Sequence, residues 1–253
     1  MSRLSMTVMS APVAAIILSF AVPAMAEPPS RPVSSFTAAK KIARDNIYPG
    51  HQVTLYCGCK YVRNKTGTSG RISNLACGYE PRKNELRGKR LEWEHIVPAS
   101  FFGRSRSCWT EGNPLCVNSK GEPYKGRRCC AKVDEAFKQM EADLHNLAPA
   151  VGELNGDRSD LPYGLKEGET REYGLCDFEI DRDERDVEPM DDVRGDVARV
   201  WFYMSNTYGL ELNPEMRQQL QEWSVADPVD DWERVRDSRI EAVQGNGNPF
   251  LDQ

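Results

Sequence analysis

Eight cysteines constrain this chain more than any other feature, because all of them follow an N-terminal segment of the kind that directs export. Residues 1–26 carry one charge, Arg3, then an apolar stretch, and end in Ala-Met-Ala, the small-x-small pattern that signal peptidase reads. The apolar stretch is far shorter than the roughly 20 residues of a membrane span. We therefore predict a signal peptide cleaved before Glu27, in preference to an uncleaved anchor, and a periplasmic or secreted protein.

The cysteines predict up to four disulfides, since an even number in an exported chain favours pairing. They occupy positions 57, 59, 77, 108, 116, 129, 130 and 176. Cys57 and Cys59, like the vicinal Cys129 and Cys130, are too close to pair with one another without strain, so each is expected to bond elsewhere. Zinc binding is the alternative, but the sequence lacks the two C-x(2–4)-C pairs of a zinc ribbon.

Hydrophobic patterning predicts an α+β fold in a single domain that spans residues 27–253. Ser35 is suited to cap a helix that ends at Pro49-Gly50, and the alternation over residues 53–57 indicates a strand. Residues 91–97 are expected to form a second short strand, which Pro98 ends.

Helical spacing predominates after residue 132. A stripe from Val133 to Leu147 predicts a helix that ends at Pro149. Three amphipathic helices are predicted around residues 197–208, 216–223 and 232–243. The acidic run 177–192 is expected to be a solvated loop.

Charge is distributed unevenly along the chain. After residue 26 the net charge is −6, but residues 27–140 carry +11 and residues 141–253 carry −17. Such asymmetry is expected of a protein with one side that faces phosphates. The alternative is charge scattered over a solvated surface.

Three histidines occur, at positions 51, 95 and 145, and two have neighbours that suit phosphodiester chemistry. His95 follows Glu94 at the end of a predicted strand, and His145 precedes Asn146 near the end of a predicted helix. A strand that ends in a histidine, a long loop and a helix that brings a ligand is the layout of a ββα-metal nuclease finger.

Hydrolysis of a phosphodiester needs a base that deprotonates water, and a neutral imidazole such as His95 suits that role at neutral pH. It also needs a hard cation on the phosphate and the leaving oxygen. Mg²⁺ prefers oxygen ligands and often takes one or two from the protein, which Glu94 and Asn146 offer; Ca²⁺ and Mn²⁺ are alternatives. Spacing alone leaves open the alternative that His95 has a purely structural role.

Geometry adds a condition, because adjacent residues of a regular strand point to opposite faces. Glu94 and His95 can share a site only where the strand ends or bulges. Asn146 lies half a helical turn from the buried stripe of Phe137 and is expected to face away from it, toward a metal. His145 lies nearer the stripe and is expected to be packed rather than catalytic.

Four segments closely resemble the bacterial endonuclease I family of periplasmic and secreted nucleases. They are CGYEPRKNELRGKRLEWEHIVPASFFG, RSRSCW, FKQMEADLHNLAPAVGELNGDRSD and PVDDWERVRDSRIEAVQGNGNPF. The likeness runs from about residue 36 to 250. It implies a ββα-metal nuclease finger embedded in a mostly helical, disulfide-stapled domain, with His95 as the general base and Glu94 and Asn146 as metal ligands.

The resemblance also implies an arginine that stabilises charge on the phosphate. Arg127 matches it, but Arg128 stays open, because the loop before this motif is longer than expected for the family. Arg158, in the motif GDRSD, is a candidate substrate contact or a structural salt bridge. Arg90, in the basic run before the second strand, is a further candidate substrate contact.

The implied activity is that of an exported, metal-dependent endonuclease. It would hydrolyse DNA, with RNA as a second candidate substrate, show little sequence preference, leave 5′-phosphates and act as a monomer. Phosphate contacts position a substrate without reading its bases, which suits the charge distribution. Two alternatives are a catalytically silent exported nucleic-acid-binding protein and a nuclease confined to RNA.

Overall fold

A computed structural model describes residues 27–252 except 74, 167 and 169, so the predicted signal peptide lies outside the described residues. The helices described are α1 Phe36–Ile42, α2 Glu85–Gly88, α3 Ala99–Gly103, α4 Ser107–Thr110, α5 Arg127–Val133, α6 Glu135–Ala142, α7 Gly152–Arg158, α8 Arg194–Tyr208, α9 Pro214–Ala226 and α10 Asp231–Gln244. The strands are β1 Tyr61–Arg63, β2 Gly70–Ile72, β3 Arg90–His95, β4 Leu147–Val151, β5 Phe178–Asp181 and β6 Asp186–Pro189. This mixture confirms the predicted α+β class.

The first four strands form one antiparallel sheet in the order β1-β2-β3-β4, and β5 and β6 form a separate hairpin. β4 pairs with β3 along five residues, from Leu91 opposite Val151 to His95 opposite Leu147. β2 pairs with β3 only at Arg90 and Leu91. β3 is therefore flanked on both sides at its start and on one side at its end.

The predicted N-terminal helix is confirmed, whereas the strand predicted for residues 53–57 is wrong. The Ser35 hydroxyl accepts a hydrogen bond from the backbone N–H of Ala38 at 3.2 Å, and α1 continues as a π-helical segment to Ile47. In the second segment, Val53 makes only an isolated bridge, and a turn follows in which the Thr54 N–H donates to the Cys59 carbonyl. Leu55 and Cys57 pack against the core from this turn rather than from a strand.

The long helix predicted from Val133 to Pro149 is also wrong. α5 and α6 are separate helices, residues 144–146 form a 3₁₀ turn, and residues 147–151 form β4. Every residue of β4 is buried, so the hydrophobic pattern could not distinguish a strand from a helix there. Pro149 is tolerated because β4 is an edge strand, where a residue needs no N–H for a ladder.

The strand predicted for residues 91–97 is confirmed in the main, as β3. The predicted C-terminal helices correspond to α8, α9 and α10, which bury Trp201, Trp223 and Ile240. The acidic run 177–192 is not a solvated loop: it contains β5 and β6, in which Glu179 and Glu188 are buried. Among the residues described, no helix is long and apolar enough to cross a membrane.

Four disulfides confirm the predicted pairing of all eight cysteines and leave no free thiol for zinc. They are Cys57–Cys176, Cys59–Cys77, Cys108–Cys130 and Cys116–Cys129. The first two fix the C-terminal part of the turn that follows Val53, through Cys57 and Cys59. The other two fix the long loop between β3 and α6.

Removing Cys57–Cys176 is expected to destabilise the protein more than removing Cys116–Cys129. The sequence separations are 119 and 13 residues, and the entropy lost by the unfolded chain grows with loop length, giving about 5 and about 3 kcal/mol. Urea denaturation of the two double Cys→Ala variants measures the free energy of unfolding. Equal losses, or the reverse order, would contradict stabilisation through loop closure.

Candidate active site

A cavity of about 500 Å³ lies beside the end of β3, where acidic, basic and aromatic side chains meet. Its lining includes Phe36, Lys40, Thr68, Ser69, Glu92, Trp93, Glu94, His95, Trp109, Arg127, Asn155 and Arg158. Four residues predicted from the sequence are among them: Glu94, His95, Arg127 and Arg158. Three predicted residues are not in the lining: Asn146, Arg128 and Arg90.

Glu94 and His95 both line this cavity although adjacent side chains of a strand point to opposite faces. On the β2 side, the edge of β3 from residue 92 to 95 has no neighbouring strand among the residues described. Residues 91–95 all line the cavity, so side chains of both faces of β3 reach it at this edge. β3 also ends at His95, and its pairing with β4 has no bulge. Glu94 and His95 can thus share a site because β3 ends at His95 and because its edge on the β2 side is open.

The carboxylate of Glu94 is buried, and its contacts fall on one oxygen. Tyr56 donates its hydroxyl to Oε1 at 2.7 Å, and the guanidinium of Arg158 lies 3.1 Å from the same atom. No residue that the structure describes donates to Oε2. Burial raises the pKa of Glu94, against the opposing effects of Arg158 and the Tyr56 hydroxyl. A cation near Oε2 would therefore stabilise the charged carboxylate.

One ring nitrogen of His95 is held by the backbone, and the other accepts a long hydrogen bond from Arg127 at the cavity. Nε2 lies 2.8 Å from the backbone carbonyl of Glu141, which accepts only from a protonated nitrogen, so in the neutral ring Nδ1 carries the lone pair. Burial, with the nearby charge of Arg127, lowers the pKa of His95 to about 3. The imidazole is thus neutral at neutral pH, which is the form a base requires.

Arg127 lies beside His95, whereas Arg128 points elsewhere. Nη2 of Arg127 is 3.5 Å from Nδ1 of His95, and its Nε donates to the carboxylate of Glu141 at 2.5 Å. Glu141 therefore positions both groups, His95 through its backbone and Arg127 through its side chain. The guanidinium of Arg128 lies over the ring of Tyr124. Of the two alternatives that the sequence left open, the geometry favours Arg127.

Arg158 is buried and makes structural contacts. Its Nη1 donates to the carbonyl of His95 and its Nη2 to that of Ile96, each at 2.9 Å, in addition to the ion pair with Glu94. This arrangement favours the salt bridge over the phosphate contact that the sequence also allowed. Arg90 is exposed at the start of β3.

Asn146 is not placed as the sequence predicted. It lies in the 3₁₀ turn before β4 rather than on an outward face of a helix, and it is fully buried. Its Oδ1 accepts from the N–H of Val97 at 2.7 Å, and its Nδ2 donates to the carbonyl of Val97 at 3.0 Å. Both ends of the amide are thus engaged in fixing the chain after β3. This environment favours a structural role.

Asn155 of α7 is a cavity residue that the sequence reasoning missed. Its Nδ2 donates to Glu92 at 2.9 Å, while no described residue donates to its Oδ1. Glu92 is held in turn by Nε and Nη2 of Arg87. The available signal was the spacing from Asn155 to Arg158, because residues three apart share a face of a helix.

The cavity contains further groups without a sequence signal. Lys40 and Phe36 come from α1, and Nζ of Lys40 lies 4.3 Å from the Phe36 ring centroid. Burial and the charge of Arg127 lower the pKa of Lys40. The other histidines lie outside this lining: His145 is buried against Tyr203, as expected, and His51 stacks on Trp232.

The donor atoms fit a hard divalent cation. Oε2 of Glu94 and Oδ1 of Asn155 are oxygens in the lining of one cavity, and each lacks a protein donor among the described residues. No group of three or more His, Cys, Asp and Glu side chains suited to a metal occurs in the described part of the chain. A site with two protein oxygens and several waters is the kind that Mg²⁺ uses.

Comparisons with known proteins identify relatives across most of the chain. An extracellular deoxyribonuclease of Aeromonas hydrophila is 40% identical over 238 residues, which cover 88% of this chain and 98% of that protein. A periplasmic deoxyribonuclease of Aeromonas hydrophila is 40% identical over 82% of this chain and 81% of its own. An extracellular ribonuclease of Bacillus subtilis (strain 168) is 38% identical over 44% of this chain and 43% of its own.

The model of one protein family, described as Endonuclease I, matches residues 37–253. This range contains β3, α5, β4 and α7, and with them Glu94, His95, Arg127 and Asn155. The match begins one residue after α1 begins. The chain belongs to the Endonuclease I family.

Proposed function

We propose that this protein is an exported endonuclease that hydrolyses phosphodiester bonds of DNA with one divalent cation, most suitably Mg²⁺. The observation that carries the proposal is a single cavity in which a neutral imidazole, a guanidinium and unpaired carboxylate and amide oxygens meet. We assign β3, β4 and α7 to the predicted ββα-metal finger, because two paired strands and the helix that follows supply most of these groups.

His95 would act as the general base. Its Nδ1 takes a proton from a water molecule while the water oxygen attacks phosphorus, and the bond from phosphorus to the 3′ oxygen breaks. The products are a 5′-phosphate and a 3′-hydroxyl, the latter protonated from solvent. The Glu141 carbonyl keeps the proton on Nε2 and so preserves the lone pair on Nδ1.

Glu94 and Asn155 would hold the cation, with Asn155 in place of Asn146. When bound, a divalent cation stabilises negative charge on the phosphate and on the leaving oxygen. Glu92 orients the amide of Asn155, because its carboxylate accepts from Nδ2 and thereby fixes Oδ1 as the free atom. Arg158 and Tyr56 hold the carboxylate of Glu94.

Arg127 would stabilise the negative charge that develops on the phosphate. A guanidinium suits this role because it offers two donors in one plane to phosphate oxygens. Its Nε is held by Glu141, which leaves the Nη atoms toward the cavity, and Lys40 adds a second positive charge.

The substrate and location are proposed from the relatives and from the charge distribution. The names of the two Aeromonas relatives favour DNA and export, and that of the Bacillus relative supports RNA as a second substrate. The four disulfides suit an oxidising compartment. We further propose that the enzyme acts as a monomer, with little sequence preference.

A plasmid-nicking assay tests the enzymatic proposal against a protein that only binds nucleic acid. We expect nicking and linearisation with Mg²⁺, and none with excess chelator. A parallel digestion of single-stranded RNA separates a dual nuclease from one confined to RNA. Absence of cleavage of both polymers by folded protein between pH 6 and 9 would leave the binding protein as the better description.

His95→Ala is expected to lower kcat by about 10²–10⁴, the usual contribution of a general base. DNA binding in chelator should remain, since the imidazole does not carry charge. His51→Ala is the matched control, because His51 stacks on Trp232 outside the cavity lining. Near wild-type turnover of the His95 variant would exclude this residue as the base.

Variants of the two asparagines distinguish the candidate amide ligands. Asn155→Ala should raise the Mg²⁺ concentration needed for half-maximal cleavage by at least about tenfold. Asn146→Ala should instead lower the free energy of unfolding by about 1–3 kcal/mol, because it leaves the backbone groups of Val97 unpaired. Magnesium titrations and urea denaturation of both variants measure this. A shifted titration for Asn146→Ala alone would reverse the assignment.

A further inference from the structure

Two arginines lie opposite each other on neighbouring strands of the sheet, and neither has a described acidic or hydrogen-bonding partner. Arg71 of β2 and Arg90 of β3 are directly opposite in the antiparallel register, and both are exposed. Neither forms an ion pair or a side-chain hydrogen bond with any residue in the described part of the chain. Like charges at opposed positions destabilise a sheet. The stability of the fold therefore does not explain this pair.

The arginine pair lies on the face of the sheet that leads to the cavity. Alternate residues of a strand share a face, so Arg90, Glu92 and Glu94 point to the same side of β3. From residue 90 to residue 94 the strand rises by roughly 13 Å at about 3.3 Å per residue. Between the two ends, Glu92 is neutralised by Arg87. The unbalanced positive charge on this face is therefore that of Arg71 and Arg90.

The hairpin that carries Arg71 also borders the cavity. Thr68 and Ser69, which immediately precede β2, line the cavity, and the Thr68 carbonyl accepts a hydrogen bond from the Trp93 indole. On the outer side of the pair, Val62 of β1 lies opposite Arg71 and is exposed. The surface from the cavity to the pair is thus formed by connected parts of one sheet and is open to solvent beyond it.

We infer that Arg71 and Arg90 together bind a backbone phosphate of the nucleic acid whose scissile phosphate occupies the cavity. This inference rests on the proposed nuclease function. A distance of roughly 13 Å corresponds to about four nucleotides along the axis of a DNA strand, at about 3.4 Å each. A phosphate between the guanidiniums also removes their mutual repulsion. The pair would therefore set the path of the substrate backbone without reading its sequence.

The test measures binding in chelator, so that cleavage plays no part. Affinity of a fluorescent 20-base-pair duplex is determined by anisotropy at several salt concentrations for wild type and for Arg71→Gln/Arg90→Gln. We expect the dissociation constant to rise about tenfold at low salt. The slope of log affinity against log salt should fall by about 1 for each arginine lost.

Two controls separate a phosphate contact from other effects. Arg185→Gln/Arg217→Gln removes the same charge from exposed arginines outside the four-stranded sheet and should leave the slope near that of wild type. Arg71→Lys/Arg90→Lys keeps both charges and should recover most of the slope. Thermal unfolding of the Gln variant should occur at the wild-type temperature or above, because a repulsion has been removed.

Three results would overturn the inference: a wild-type slope for Arg71→Gln/Arg90→Gln, an equal loss in the control pair, or weaker binding accompanied by a lower unfolding temperature. Failure of the proposed function gives a different result, since wild-type protein would then not cleave plasmid in Mg²⁺. Wild-type cleavage with an unchanged slope in the variant would refute the arginine pair alone.

Discussion

Arg158 brings a positive charge into the interior of the protein, and the cavity depends on how that charge is satisfied. A buried ion costs several kcal/mol unless ion pairs and hydrogen bonds compensate for lost water. Here the guanidinium contacts the carboxylate of Glu94 and the carbonyls of His95, which ends β3, and of Ile96, which follows it. It therefore joins α7 to the end of β3, where the strand pairs only with β4. Asn155, one helical turn earlier, is placed by the same docking of α7.

The open edge of β3 gives the site its unusual access to both faces of one strand. Because β2 leaves β3 after Leu91, the carboxylate of Glu94 and the imidazole of His95 reach one cavity from opposite sides. Different residues hold these two side chains in place. Tyr56 and Arg158 hold Glu94, while Glu141 holds His95 and Arg127. The separation keeps Arg127 beside the proposed base and the unpaired oxygens beside the proposed cation.

Disulfides supply rigidity where the supporting residues come from irregular segments. Tyr56 lies in a turn, and Cys57 and Cys59 on its C-terminal side are bonded to Cys176 and Cys77. Arg127 begins α5, in which Cys129 and Cys130 are both paired. A loop alone would hold such side chains loosely, because irregular backbone has few hydrogen bonds of its own. The disulfides thus help to position Tyr56 and Arg127 as well as stabilise the fold.

The sequence by itself determined the export signal as an expectation, the α+β class, an upper limit of four disulfides and the candidates Glu94 and His95, while the family resemblance added Arg127 with Arg128 as its alternative. Those conclusions depend on local patterns and residue chemistry. Tertiary structure alone decided which asparagine reaches the cavity. Residues 144–151 are buried on all sides, so their periodicity could not show that Asn146 precedes an edge strand while Asn155 lies on the next helix. The opposition of Arg71 and Arg90 was equally hidden, because strand register is set by pairing between segments distant in sequence.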